Sequence, residues 1–209
     1  MLKQILFDFD GVIIDSMDVR DEGFRMIAKK VADNEIVEEF IKYHRYNAGL
    51  SRFVKIRYLY EEMLNKSITD EQVNKLATEF SILMKQKLTD KKVLINETVD
   101  FIKSIHKDVT LHIVSGSEEK ELNYLCSNLH LSDYFKTIEG SPTPKNTLVK
   151  DIMQKYNYEK IETILIGDSI NDYEAADMNG IGFIGFNNTD LKTVSDNYVD
   201  IVDHNILAI

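Results

Sequence analysis

From about residue 16 to residue 92 the sequence offers no convincing strand, whereas the residues after it alternate strand and helix. This contrast restricts the fold more than any other feature. One apolar run, residues 4–9, precedes the strand-free stretch. Its consecutive Ile5, Leu6 and Phe7 read as a central strand buried on both faces. Within the stretch, Phe24, Ile27, Ala28 and Val31 fall at i, i+3, i+4, i+7, and Phe53, Ile56, Tyr60, Met63 and Leu64 repeat the pattern. A third set, Val73, Leu76, Ala77, Phe80, Leu83 and Met84, comes after Thr69-Asp-Glu-Gln72, the signature of a capping box.

Downstream, the periodicity predicts helices over 98–106, 118–129, 146–156 and 170–179, the last closed by Gly180 as its C′ residue. Strands are expected over 109–114, 134–139, 162–166 and 181–186, with a last candidate at 198–202. Strands alternating with helices imply a parallel sheet joined by right-handed crossovers. The expected architecture is α/β: a three-layer core over 1–15 and 93–209, with an all-α cap domain inserted over 16–92.

The polar residues of this scheme fall where such a sheet binds ligands. Asp8 and Asp10 end the first strand, Ser115 ends the second, Asp168 follows 163–166, and Lys145 opens a helix. Open α/β sheets bind ligands at the carboxyl ends of their strands, so these groups converge on one crevice. They suit phosphoryl transfer, which needs positioning and charge neutralisation above all. Asp8 and Asp168 can hold Mg²⁺, which prefers oxygen ligands and offsets repulsion between an anionic substrate and an anionic site. Asp8 is then placed as a nucleophile. Asp10 can protonate the leaving oxygen and later activate water. Ser115 and Lys145 can grip the transferring oxygens. Two of the residues near this crevice have a second reading: Asp172 could cap the helix it begins, and Ser115 could be an N-cap with Glu118 at capping-box spacing.

Asp8-Phe-Asp10-Gly11-Val12, Val114-Ser115-Gly116-Ser117 and Gly167-Asp168-Ser-Ile-Asn-Asp172 resemble, in order, the motifs of the haloacid dehalogenase-like hydrolase superfamily. The resemblance implies a Rossmann-like core, Asp8 as nucleophile and Asp10 as acid/base. It also implies Mg²⁺ held by Asp8, the Asp10 backbone carbonyl and Asp168, with Asp172 nearby, and phosphoryl binding by Ser115, Gly116 and Lys145. The helical insertion is similar to the cap of the subgroup containing phosphoglycolate phosphatase and β-phosphoglucomutase. Gly49-Leu50-Ser51-Arg52 resembles a substrate-facing cap loop, with Arg52 as a phosphate ligand. Two departures stand out. Ser141 occupies the usual place of the third-motif lysine, leaving Lys145 to supply it, and Arg20 stands where many relatives carry histidine. Arg20 is thereby a candidate substrate contact.

The implied activity is that of a phosphatase acting on a small phosphorylated metabolite, a sugar phosphate or a phosphoglycolate-like ester. A phosphomutase is the alternative. A receiver module that only stores a phosphoryl group fits less well, because it needs neither Asp10 nor a helical insertion.

Composition narrows the setting. The net charge of −10 disfavours a nucleic-acid partner. No apolar run approaches a membrane span. A single cysteine, Cys126, excludes an internal disulfide and accords with the cytoplasm. The sequence does not set the oligomeric state, and a monomer is compatible with it. The basic run 42–57, with His44, Arg45, Lys55 and Arg57, reads mostly as a solvated face. Gly180-Ile-Gly182-Phe-Ile-Gly185 comes after a helix and enters a strand, the reverse of a dinucleotide loop. The five histidines form no metal-ligand spacing.

Overall fold

Ile5, Leu6 and Phe7 have no exposed surface, and they form the central strand of a six-stranded parallel sheet. The computed structural model describes residues 2–208. Its strands are β1 (Gln4–Phe7), β2 (Thr110–Glu118), β3 (Thr137–Ser141), β4 (Thr163–Gly167), β5 (Gly182–Phe186) and β6 (Tyr198–Val199), in the order β3-β2-β1-β4-β5-β6. Ile5 is in register with Leu111 on one side and Ile164 on the other.

The helices are α1 (Met17–Ala28), α2 (Asn34–Tyr46), α3 (Arg52–Tyr58), α4 (Asp70–Lys87), α5 (Asn96–Ile105), α6 (Glu119–Asn128), α7 (Lys145–Tyr156) and α8 (Ile170–Asn179). Side-chain alternation along the strands makes two cores. Ile5, Phe7, Ile113 and Ile166 face α5 and α6, while Leu6, Val114 and Leu165 face α7 and α8. This is the three-layer arrangement of a Rossmann-like fold. Among the described residues, no helix is long and apolar enough to cross a membrane.

Helices α1 to α4 form one block between β1 and β2 and share the first core through Phe24, Phe40, Ile56 and Phe80. The two connections to the sheet run side by side. Asp15 N–H donates to Val93 C=O at 2.7 Å and Ile95 N–H to Ile13 C=O at 3.0 Å. The Thr69 capping box forms: Gln72 N–H donates to Thr69 Oγ1, and Thr69 N–H donates to Gln72 Oε1.

Several boundaries move from their sequence expectation. β2 runs on to Glu118, with an irregular register against β3 between Val114 and Glu118. β3 starts at Thr137 rather than residue 134, and β6 is only two residues long. The periodicity assigned to residues 53–64 has the wrong phase. A π-helical turn, Leu59–Met63, continues from α3, and the fully buried side is Arg52, Lys55, Ile56 and Leu59. Phe53, Tyr60, Met63 and Leu64 are half-buried at the core's edge. The buried side keeps helical spacing, but two of its four members are cations, so an apolar pattern picks out the neighbouring half-buried face instead.

His112, within β2, has no exposed surface. Its Nδ1 pairs with Thr137 Oγ1 at 2.8 Å and its Nε2 with Tyr158 Oη at 3.1 Å. Burial, with lesser contributions from Lys136 and Lys155, lowers its pKa to about 4. The folded value lies below the unfolded one of about 6.5, so the unfolded chain takes up the proton first. Stability held above pH 6.5 is therefore lost as pH falls towards 4, by at most about 3 kcal/mol for this group. Chemical denaturation of His112→Leu at pH 7 and pH 4.5 should show a flatter pH dependence than the parent. An equal slope in both would exclude this role.

Candidate active site

Strands β1 and β4 are neighbours, and the chain leaves them in opposite directions across the sheet. Such a switch point opens a crevice at the carboxyl ends. Asp8 and Asp10 come directly after β1, and Asp168 directly after β4. Asp8 N–H donates to Ile166 C=O at 2.9 Å, extending the ladder by one bond and fixing the side chain over the sheet. Carboxylate oxygens of Asp8, Asp168 and Asp172 lie within 4.8 Å of one another. Gly11 has φ +78°, and a Cβ there would stand 1.9 Å from Asp168 Oδ2. Glycine is thus required both by the backbone and by the approach of Asp168. From the loop after β5, Asn188 Nδ2 donates to the Asp168 carbonyl and Asn187 Nδ2 to that of Gly11.

Three buried carboxylates this close repel one another. Lys145, at the start of α7, offsets part of the charge: its Nζ lies 2.8 Å from Asp8 Oδ1 and donates to Asp172 Oδ1. Burial opposes the Lys145 charge, but Asp172 and Asp8 outweigh it and raise its pKa. Asp8 is nevertheless pushed up to about 7 by burial and by Asp172, against Lys145. Asp168 is raised well above the usual range by burial and then by Asp8. Asp168 Oδ1 is buried without a hydrogen-bond partner. Hard oxygen donors, surplus negative charge and an orphaned carboxylate oxygen fit a divalent cation such as Mg²⁺.

Asp172 behaves differently from Asp8 and Asp168. Its Oδ2 accepts from Asp168 N, Ser169 N and Ser169 Oγ, and its Oδ1 accepts from Lys145. Both oxygens are engaged, so Asp172 anchors the loop and orients Lys145. Asp172 does not begin or cap α8 as expected: Ser169 is the N-cap, and Asp172, at the third position, completes the capping box by accepting from Ser169 N–H.

Asp10 is held on both oxygens. Ser16 Oγ and Arg20 Nε donate to Oδ1, and Ser117 Oγ (2.6 Å) and an Arg20 terminal nitrogen donate to Oδ2. Burial raises the Asp10 pKa, but Arg20 and the two serines pull harder and leave it below the usual carboxylate value. Arg20 also donates to Glu121 Oε1 at 2.6 Å, and Arg52 donates to Glu121 Oε2 at 2.6 Å and to Ser81 Oγ. Glu121 lies on α6 with 0 % exposure, so the helical block and the sheet domain are joined by a buried chain, Asp10–Arg20–Glu121–Arg52.

The predicted residues therefore gather. Asp8, Asp10, Arg20, Arg52, Ser115 and Gly116 line one crevice, with Lys145 in the adjoining cavity against Asp8. Gly116 abuts the helical block, and a Cβ there would stand 2.3 Å from Gly49 O. Ser141 is buried beside Lys145, whose ammonium reaches the carboxylates in its stead. The N-cap reading of Ser115 fails. It lies within β2, its Oγ accepts from Ser117 N–H, and Glu118 caps α6. Arg20 and Arg52 line the crevice, but carboxylates of the protein already hold them. The sequence missed Ser16, Ser117, Glu121 and the pair His44–Lys55. Lys55 and His44 are buried and line the crevice, contrary to the solvated face expected of that run. A signal existed: Arg52, Lys55, Ile56 and Leu59 share helical spacing.

A family model described as haloacid dehalogenase-like hydrolase matches residues 5–186. This chain belongs to that family. It is 24% identical over 194 residues to a phosphoglycolate phosphatase of Vibrio vulnificus, covering 88% of this chain and 83% of that one. A Haemophilus influenzae protein described only as uncharacterized is 28% identical over 143 residues, 68% of this chain; the match spans 66% of its length, just under two thirds. The fold is similar to that of β-phosphoglucomutase from Clostridium difficile, with a TM-score of 0.81 at 18% identity, covering 100% of this chain and 96% of that one. The structural likeness shows the fold, and the family match with its relatives supports a phosphatase.

Proposed function

We propose that this chain hydrolyses a small phosphorylated metabolite through a phosphoryl-aspartate on Asp8, with Mg²⁺ and with helices α1 to α4 acting as the cap. The observation that carries the reading is the meeting of Asp8, Asp168 and Lys145 at the β1–β4 switch point. Bound between Asp8 and Asp168, Mg²⁺ would supply charge neutralisation for the phosphoryl oxygens.

Asp8 attacks phosphorus, and its carboxylate oxygen takes the phosphoryl group as the ester oxygen leaves. Lys145 offsets negative charge beside Asp8, and Ser115 with the Gly116 backbone lies where the phosphoryl oxygens would be gripped. Asp10 serves the leaving oxygen as acid and the incoming water as base. Clamped by Arg20, Ser16 and Ser117, Asp10 starts ionised, ready for the base half. Arg20 must loosen so that Asp10 takes up a proton from solvent, which it gives to the leaving oxygen before taking another from the attacking water. A crevice closed by the cap limits substrates to small esters and restricts water.

Phosphate release should be measured over a panel of phosphorylated metabolites with Mg²⁺ and with EDTA. Turnover of at least one small ester, falling about 100-fold or more on metal removal, is expected. Turnover unchanged by EDTA would remove the metal from this reading. A requirement for a bisphosphate activator would replace hydrolysis with the mutase reaction.

A further inference from the structure

The cavity beyond Lys145 is separate from the crevice. It has a volume of about 240 Å³ and lies between residues 49–54, the start of α7 and one side of α8. Gly49, Leu50 and Gly116 line both spaces and form the partition, since a Cβ on Gly116 would stand 2.3 Å from Gly49 O. None of Asp8, Asp10 and Asp168 lines this second space. Its α7 wall carries unused donors. α7 is 12 residues long, begins after Pro144, and has no side chain capping its first turn. The N–H groups of Thr147 and Leu148 donate to Pro144 C=O, whereas those of Lys145 and Asn146 find no acceptor among the described residues. Ser141, 1% exposed, lines the same wall, and its Oγ is buried without a hydrogen-bond partner. Free N–H groups at a helix start attract an anion, and the serine hydroxyl adds a third donor. The α8 wall has the opposite character. Asn171 Oδ1 is buried without a partner, and the exposed Glu174 carboxylate comes from the same helix. Both are acceptors. Buried polar atoms without partners are costly, and atoms of opposite sense left unsatisfied in one cavity call for a ligand that both accepts and donates.

We propose that this cavity is a second oxyanion site that takes free orthophosphate, with its bare oxygens towards Ser141 and the start of α7 and its P–O–H towards Asn171. The pairing of donors with acceptors selects the ligand. Sulfate carries no proton near neutral pH, and a phosphate monoester, with a second pKa of about 6, carries almost none at pH 7.5. Orthophosphate keeps one. It is also the product of the hydrolysis proposed above, but the site does not rest on that reading, because neither Ser141 nor Asn171 takes part in it.

Equilibrium dialysis of ³²P-orthophosphate against the full chain at pH 7.5, with Mg²⁺ and with EDTA, tests the assignment. One orthophosphate per chain should be retained in EDTA, where the reacting centre lacks the cation that would offset its carboxylates. Ser141→Ala removes a donor to a charged ligand, so the affinity should fall about 10-fold or more. Unlabelled sulfate and methyl phosphate should each compete at least about 10-fold less well than orthophosphate. Glu174→Gln replaces a charged acceptor by an amide that can also donate, so sulfate should gain on orthophosphate in that variant. A residue that only supports the fold would shift both anions alike. Retention that requires Mg²⁺, equal competition by sulfate in the parent, or an affinity unchanged in Ser141→Ala would overturn the assignment. Failure of ester hydrolysis with the EDTA-resistant orthophosphate still bound would overturn the phosphatase reading and leave this site standing.

Discussion

Replacing Asp8 by asparagine is expected to abolish phosphate release, lowering kcat by at least about 10³-fold. The substitution keeps the shape of the side chain and removes its nucleophilic charge. The fold should survive it, because Asp8 N–H keeps its bond to Ile166 and Lys145 keeps Asp172. Loss of nucleophile and loss of structure are thus separable by circular dichroism on the same sample. Rapid quench with ³²P-labelled ester should label the parent and leave Asp8→Asn unlabelled. Turnover within tenfold of the parent, or a label retained in the variant, would end the proposal that Asp8 carries the phosphoryl group.

A second large effect concerns stability. Glu121→Ala removes the one carboxylate shared by Arg20 and Arg52 and leaves Arg52 buried without an acidic partner. Burial alone would raise the Glu121 pKa, but the two arginines outweigh it and hold the group below its usual value. Breaking a buried ion pair from one side costs about 3–5 kcal/mol, since the remaining charge is uncompensated. For a chain of this length that corresponds to a Tm lower by roughly 10 °C. Glu121→Met combined with Arg52→Met should recover most of the loss, because a well-packed apolar pair is often no worse than a buried ionic one. A Tm change under 2 °C in Glu121→Ala would show that this chain contributes little to holding the helical block on the sheet.

Much of the site is legible in the sequence because its residues sit beside elements that announce themselves. Asp8 and Asp10 come after an unbroken apolar strand, and Gly167-Asp168 after another. Parallel strands are buried on both faces, so they read as continuous apolar runs, and the residues just past them must lie at one edge. Lys145 is marked by its place at a helix start, although Ser141 holds the more usual position for a motif lysine. Glu121 is not legible. Nothing local distinguishes it from Glu118 or Glu119 on the same helix start, and only the approach of α1 and α3 makes it a buried counter-charge.

Sequence alone determined the parallel α/β sheet, the helical stretch between its first two strands, and the carboxylates at its rim. Each depends on local periodicity or on position relative to a strand end. Tertiary structure decided which charges cancel. Arg20 and Arg52, candidate substrate contacts in the sequence, line the crevice and are held by Asp10 and Glu121, while Lys55, inconspicuous within a basic run, is buried there with no ion pair among the described residues. The reason is physical: burial and pairing between residues as far apart as 20 and 121 arise only when the helical block packs against the sheet, and the strength of a charge depends on that packing.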